Sequence, residues 1–181
     1  MTKFLVVLLT ILFSAGSVFC GEFEDILKKA DKGDAKAQIN LGDMYYDGKG
    51  VPRDYKKALH WWAKAAEQGH AEAQYNLGWM CQNGKGVPQD YKQAAYWFTK
   101  AAEQGDAEAR AGLGMLYYEG RGVPKDYKLS YVWFSLATAQ GFEEVTYIRD
   151  KIANLLLPHQ LAEAQDLAAQ FHRRIEYRQK Q

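Results

Sequence analysis

Cysteine is almost absent from this 181-residue chain: Cys20 and Cys81 are the whole supply. A disulfide-built scaffold is therefore excluded, and Cys81 reads as a small buried hydrophobe rather than a reactive thiol or a partner of Cys20. Serine is equally scarce beyond residue 20, where only Ser130 and Ser135 remain. Neither is followed by Lys three residues on or framed as Gly-x-Ser-x-Gly, so the usual serine-nucleophile signatures are missing. Ser130 reads as a small packing residue. The histidines His60, His70, His159 and His172 are scattered without metal-ligand spacing, and no metal or cofactor is expected. Charge is balanced at 23 basic and 22 acidic residues, which removes any general electrostatic case for nucleic acid or an anionic membrane.

Long apolar runs are also missing, apart from Phe4 to Phe13, broken only by Thr10. That run follows a basic start at Lys3 and precedes Ser14, Ala15, Gly16 and Ser17. Residues 1–20 have the order and length of a secretory signal peptide and are too short for a stable membrane anchor. Cleavage is expected after Ser17 or after Cys20, giving a periplasmic or secreted protein with no transmembrane segment afterwards. Phe19 is bulky where lipidation of Cys20 would need a small residue.

What is abundant is repetition. Gly48-Lys49-Gly50-Val51-Pro52-Arg53-Asp54-Tyr55 returns from Gly84 to Tyr91 and from Gly120 to Tyr127, each time 36 residues on. A loop copied at one period marks a repeat scaffold. The copies run 34–69, 70–105 and 106–141, with an N-terminal capping helix over 21–33 and a divergent half-repeat plus capping helix over 142–181.

Each copy holds two amphipathic helices. Helix A carries Ala37, Leu41, Met44 and Tyr45 on one face; its counterparts are Ala73, Leu77, Met80 and Cys81, then Ala109, Leu113, Leu116 and Tyr117. Asp34 and Asp106 are suited to cap it. Gly42, Gly78 and Gly114 stand mid-helix, where glycine costs up to about 1 kcal/mol against alanine, so a packing role is expected. Helix B begins at Asp54, Asp90 or Asp126 and carries large aromatics facing alanines: Trp61, Trp62, Ala65 and Ala66 in the first copy. Past the third copy, Val145, Ile148, Ile152 and Leu155 keep one apolar face. Pro158 opens a last helix with Leu161, Ala164, Ala168, Phe171 and Ile175 in one stripe, ending in a basic tail whose cations suit a helix C-terminus.

Three segments together, Ala71 to Gly78, Gly84 to Ala94 and Trp97 to Gly105, resemble the Sel1-like repeat, a relative of the tetratricopeptide repeat. The resemblance covers residues 34–141. It implies an all-α, right-handed superhelical solenoid of helix pairs that binds other proteins, typically as an adaptor in exported bacterial members. A cysteine-rich branch of the family is associated with β-lactam hydrolysis; this chain lacks that branch's paired cysteines.

Since the loops share their glycines, Val, Pro, Asp and Tyr, specificity is expected where the copies differ. Four helix A positions share a face apart from the recurring core. They are Lys36, Ile39, Asp43 and Tyr46; Glu72, Tyr75, Trp79 and Gln82; and Glu108, Ala111, Met115 and Tyr118. By analogy with tetratricopeptide arrays this face lines the concave surface. Its aromatics and Met suit a peptide or partner helix, with Trp79 as anchor. The alternative for some of them is packing against the neighbouring repeat. The expected function is a non-enzymatic protein-binding adaptor of the cell envelope. The rival readings are a hydrolase acting on peptidoglycan or a β-lactam, a regulator of such an enzyme, or a spacer without ligand.

Overall fold

The computed structural model describes Gly21 and residues 23–179. The expected signal segment 1–20 lies outside the described residues. Helices account for nearly all of the rest: α1 (23–31), α2 (Ala35–Asp47), α3 (Tyr55–Glu67), α4 (Ala71–Asn83), α5 (Tyr91–Glu103), α6 (Ala107–Glu119), α7 (Tyr127–Thr138), a 3-10 turn at Glu143–Val145, α8 (Thr146–Ala153) and α9 (Pro158–Gln179). The described residues contain no strand, and the fold is an all-α array of helix pairs. They contain no helix long and apolar enough to cross a membrane.

The repeated loop works as a clasp between the two helices of a pair. In the first copy Gly48, in the left-handed region at φ 73°, ends α2. Six residues on, the Asp54 N–H donates back to the Tyr45 carbonyl at 2.8 Å. Asp54 Oδ1 then accepts from the Lys56 and Lys57 N–H groups at 3.0 and 3.1 Å, starting α3. Asp90 and Asp126 repeat both halves of this arrangement, bonding back to the Cys81 and Tyr117 carbonyls. One residue thus closes the loop and opens the next helix, which is why it returns unchanged.

The chain forms two compact units. In the unit ending at Gln68, Ala30, Ala37, Leu41 and Trp61 form a core joined by Phe23, Ile26, Leu27, Met44 and Tyr45. Asp34 Oδ1 caps α2 through the Ala37 N–H at 2.8 Å. Trp62 lies directly over Gly42 where a Cβ would stand.

In the unit from Gly69 to Gln181 the same pairs recur as α4–α5 and α6–α7. Phe98 fills the space over Gly78, with its Cδ1 2.6 Å from where a Cβ would sit, and Phe134 lies over Gly114 at 3.0 Å. The main core runs from Ala94, Phe98 and Ala101 through Leu113 and Leu116 to Val132, Trp133, Ala164 and Ala168. A second core joins Ala111, Phe134, Ala137 and Ile152, with Val145, Ile148 and Leu156 against it. Leu155, assigned by spacing to that apolar face, is instead exposed, because α8 ends at Ala153 and the altered turn aims Leu156 inward. The third loop also packs on the second copy. A Cβ at Gly122 would run into the Tyr91 carbonyl, and Arg121 lies 5.3 Å from the Tyr91 ring centre while donating to its hydroxyl at 3.2 Å.

Buried polar groups hold the joints. Gln74 accepts from Gln104 Nε2 at 2.7 Å, as Gln38 does from Gln68 at 2.8 Å in the other unit. The third copy carries Arg110 instead. It is 1% exposed and donates to the Ala102 and Leu136 carbonyls at 3.2 and 3.1 Å. These carbonyls lie in the last turns of α5 and α7, so one cation serves two helix C-termini. Ser130, also buried, donates Oγ–H to the Gly114 carbonyl at 2.7 Å, adding a tether to its packing role.

Candidate protein-binding face

The four helix A positions have different fates in each copy. At the first position Lys36, Glu72 and Glu108 are all exposed. At the second, Ile39 is only 6% exposed and Ala111 only 9%, so neither offers a contact surface. An aliphatic side chain at the border of a helix stripe gains more by turning inward than by facing water, and Ala111 does so against Phe134, Ala137 and Ile152. Tyr75 is half-buried, its ring 5.9 Å from that of Phe98.

The third position holds Asp43, Trp79 and Met115. Asp43 Oδ1 accepts from the Trp62 indole N–H at 3.0 Å, which commits that carboxylate to tying α2 to α3. Trp79 packs one side on the main core and keeps part of its surface in solvent. Met115 is likewise half-buried, against the second core. At the fourth position Tyr46 lies between Tyr55 and Trp62, with both ring-centre distances 5.5 Å. Burial, then the neighbouring Tyr55 and Asp47, push its phenol pKa up. Tyr118 packs 5.8 Å from Tyr127. Gln82 accepts at its backbone carbonyl from Gln89 Nε2 at 2.8 Å. Its Oε1 is buried with no hydrogen-bond partner among the described residues, which costs on the order of 1–3 kcal/mol.

In the unit from Gly69 onward, α4 and α6 lie side by side. Tyr75, Trp79, Met115 and Tyr118 are therefore half-exposed residues on adjacent helices. Residues 1–68 hold Lys36, Ile39, Asp43 and Tyr46 by themselves.

The 36-residue step continues once more past the third copy. It places Glu144, Tyr147, Lys151 and Asn154 at the same four positions, on the 3-10 turn, on α8 and at the cap that follows it. Tyr147 is 80% exposed. The decayed fourth copy hid it, because without the Leu-Gly pair and the loop only the period marks the register.

The clefts beside α9 are elsewhere. One is lined by Glu103, Trp133, Phe171, Arg174 and Ile175, the other by Lys128, Leu129, Glu163 and Leu167 among others. Neither includes a predicted site residue. The His, Cys, Asp and Glu side chains among the described residues form no group that could hold a metal. Cys81 is half-buried against the main core, and burial followed by the Asp90 charge raises its thiol pKa.

The Sel1 repeat model matches residues 35–70, 71–106 and 107–142. Among solved structures, the chain is similar to a protective antigen of uropathogenic Escherichia coli strains that displays an SLR fold. That likeness has 46% identity and a TM-score of 0.64, covering 66% of this chain and 26% of that one. The chain thus spans about a quarter of that relative's length. It is also similar to a Sel1 repeat protein from Oxalobacter formigenes, at 36% identity and TM-score 0.66, covering 72% of this chain and 98% of the other. The cysteine-rich protein B of Helicobacter pylori follows at 27% identity and TM-score 0.56, covering 70% and 96%. No curated protein matches the sequence.

Proposed function

The chain belongs to the Sel1 repeat family, whose repeats generally build scaffolds for protein interaction, and on that premise we propose an exported adaptor. It holds a partner protein of the periplasm or extracellular space on the A-helix face of residues 69–181. The observation that carries this reading is the half-exposed aromatic Trp79, packed on the core along one side and open along the other. Rigid, half-seated aromatics are the usual anchors of protein interfaces. The scaffold does not require tryptophan there, since the other copies carry Asp43 and Met115. Export rests on the basic and apolar pattern of residues 1–20, and the antigenic role of the Escherichia coli relative fits it.

The test replaces Trp79 and Tyr75 with alanine and compares co-purification of envelope proteins, with helicity followed by circular dichroism. Loss of a partner from a folded variant supports the face. An unchanged partner set from a folded variant removes it.

A further inference from the structure

The helix A face of residues 69–181 has a charge that the fold does not require. Glu72 and Glu108 occupy the first turns of α4 and α6, and Glu144 stands one step further on the 3-10 turn beside Glu143. All four are exposed, and none forms an ion pair among the described residues. An acid near a helix start is favoured by the macrodipole, but α2 has no acid in its first turn and carries Lys36 at this position. The acids are therefore a choice of this unit. Two of them, Glu108 and Glu72, both reach Asp106: after burial, their charges raise its pKa. Lys151 is the one cation at the corresponding positions of this unit, near the other end of the face.

Beside Glu72 and Glu108 lie Tyr75, Trp79, Met115 and Tyr118 on the adjacent helices α4 and α6, with Tyr147 one 36-residue step further on α8. Indole and phenol rings attract cations through their faces, Trp most strongly. Carboxylate and ring thus favour the same kind of group.

We propose that this face binds an extended protein segment bearing Lys or Arg at about every third residue, each cation reaching one glutamate of the Glu72, Glu108, Glu144 row. The spacing comes from geometry: packed helices stand roughly 8–10 Å apart and an extended chain advances about 3.3 Å per residue. The apolar part of the segment covers Trp79 and Tyr147. The proposal rests on the helix A face being the partner site and adds the chemistry of the partner.

Three labelled twelve-residue peptides test it by fluorescence anisotropy on the purified protein. The first repeats Lys-Ala-Tyr, the second repeats Glu-Ala-Tyr, and the third has the first one's composition with its lysines clustered. The repeating Lys peptide is expected to bind, more tightly than the clustered one and far more tightly than the Glu peptide, with affinity falling as salt rises. Glu72→Gln, Glu108→Gln and Glu144→Gln together should weaken it by about tenfold, while Glu67→Gln on α3 leaves it unchanged. Equal binding of the Lys and Glu peptides, indifference to the three Gln changes, or no binding at millimolar peptide overturns the proposal. If the Glu peptide binds and Trp79→Ala abolishes that binding, the cationic partner is wrong while the face stands. If no binding depends on Trp79, the face falls too. Circular dichroism of each variant confirms the helices.

Discussion

The Trp62 indole N–H donates to Asp43 Oδ1 at 3.0 Å while its ring lies over the adjacent Gly42. Two neighbouring residues of α2 are thereby fixed by one side chain of α3. In the second copy Phe98 takes Trp62's place over Gly78, but Trp79 takes that of Asp43. A position that ties one helix pair together in the first copy carries a half-buried indole, packed on the main core, in the second.

The glycine half of that relationship gives the first prediction. A Cβ at Gly78 would stand 2.6 Å from Phe98 Cδ1. Overpacking costs about 1–3 kcal/mol, offset by at most about 1 kcal/mol of better helix propensity. Gly78→Ala should lower stability by about 1–2 kcal/mol in urea unfolding. Gain of stability would mean that the glycine is not there for packing.

Arg110 gives the second. Removing its guanidinium takes the side-chain donor from the Leu136 carbonyl, leaves the Ala102 carbonyl with only the backbone Gly105 N–H, and empties a buried site, so Arg110→Ala should cost about 3 kcal/mol. Arg110→Gln, the residue type at Gln38 and Gln74, should recover part of that loss. Thermal melting of the pair measures the difference.

Asp106 predicts a pH dependence. Its side chain caps α6 through the Ala109 N–H at 2.7 Å, yet burial first, then Glu108 and Glu72, raise its pKa above the usual carboxylate value. A carboxyl with a raised folded pKa contributes stability below its unfolded pKa and loses it as pH rises through the folded one. Asp106→Asn keeps a good cap without the charge. The wild type should therefore gain on this variant as pH falls from 7 toward the carboxylate range. Unfolding curves at neutral and acid pH check the sign; a wild-type advantage that grows with pH contradicts it.

Cys81 should react slowly. Its half-buried thiol, with a raised pKa, holds little thiolate at neutral pH. Iodoacetamide labelling followed by mass mapping of the Cys81 peptide should be at least about tenfold slower in the native protein than in urea.

These positions show how far the sequence could be read. The loop, the Asp caps and the Gly42, Gly78 and Gly114 contacts were legible because each is a local rule repeated three times. Cys81 and Ser130 were legible as packing residues by substitution within the period. The face itself was less so. Helix spacing says which residues point the same way, but exposure depends on the surrounding packing, and Ile39 and Ala111 are buried. Spacing also could not show that Asp43 is bound to Trp62, nor that Arg110 spans two helix ends. Tyr147 was recoverable from the period alone, once extended past the last loop.

The central claim is that function lies on the A-helix face of residues 69–181 and not on the loops or the B helices. A photo-crosslinking phenylalanine analogue at Trp79, at Tyr147 or at Tyr96, which is 51% exposed on α5, tests it in the cells that make the protein. Discrete crosslinked partners from positions 79 and 147, with none from 96, is the predicted result. Crosslinks from 96 with none from 79 or 147 would contradict it.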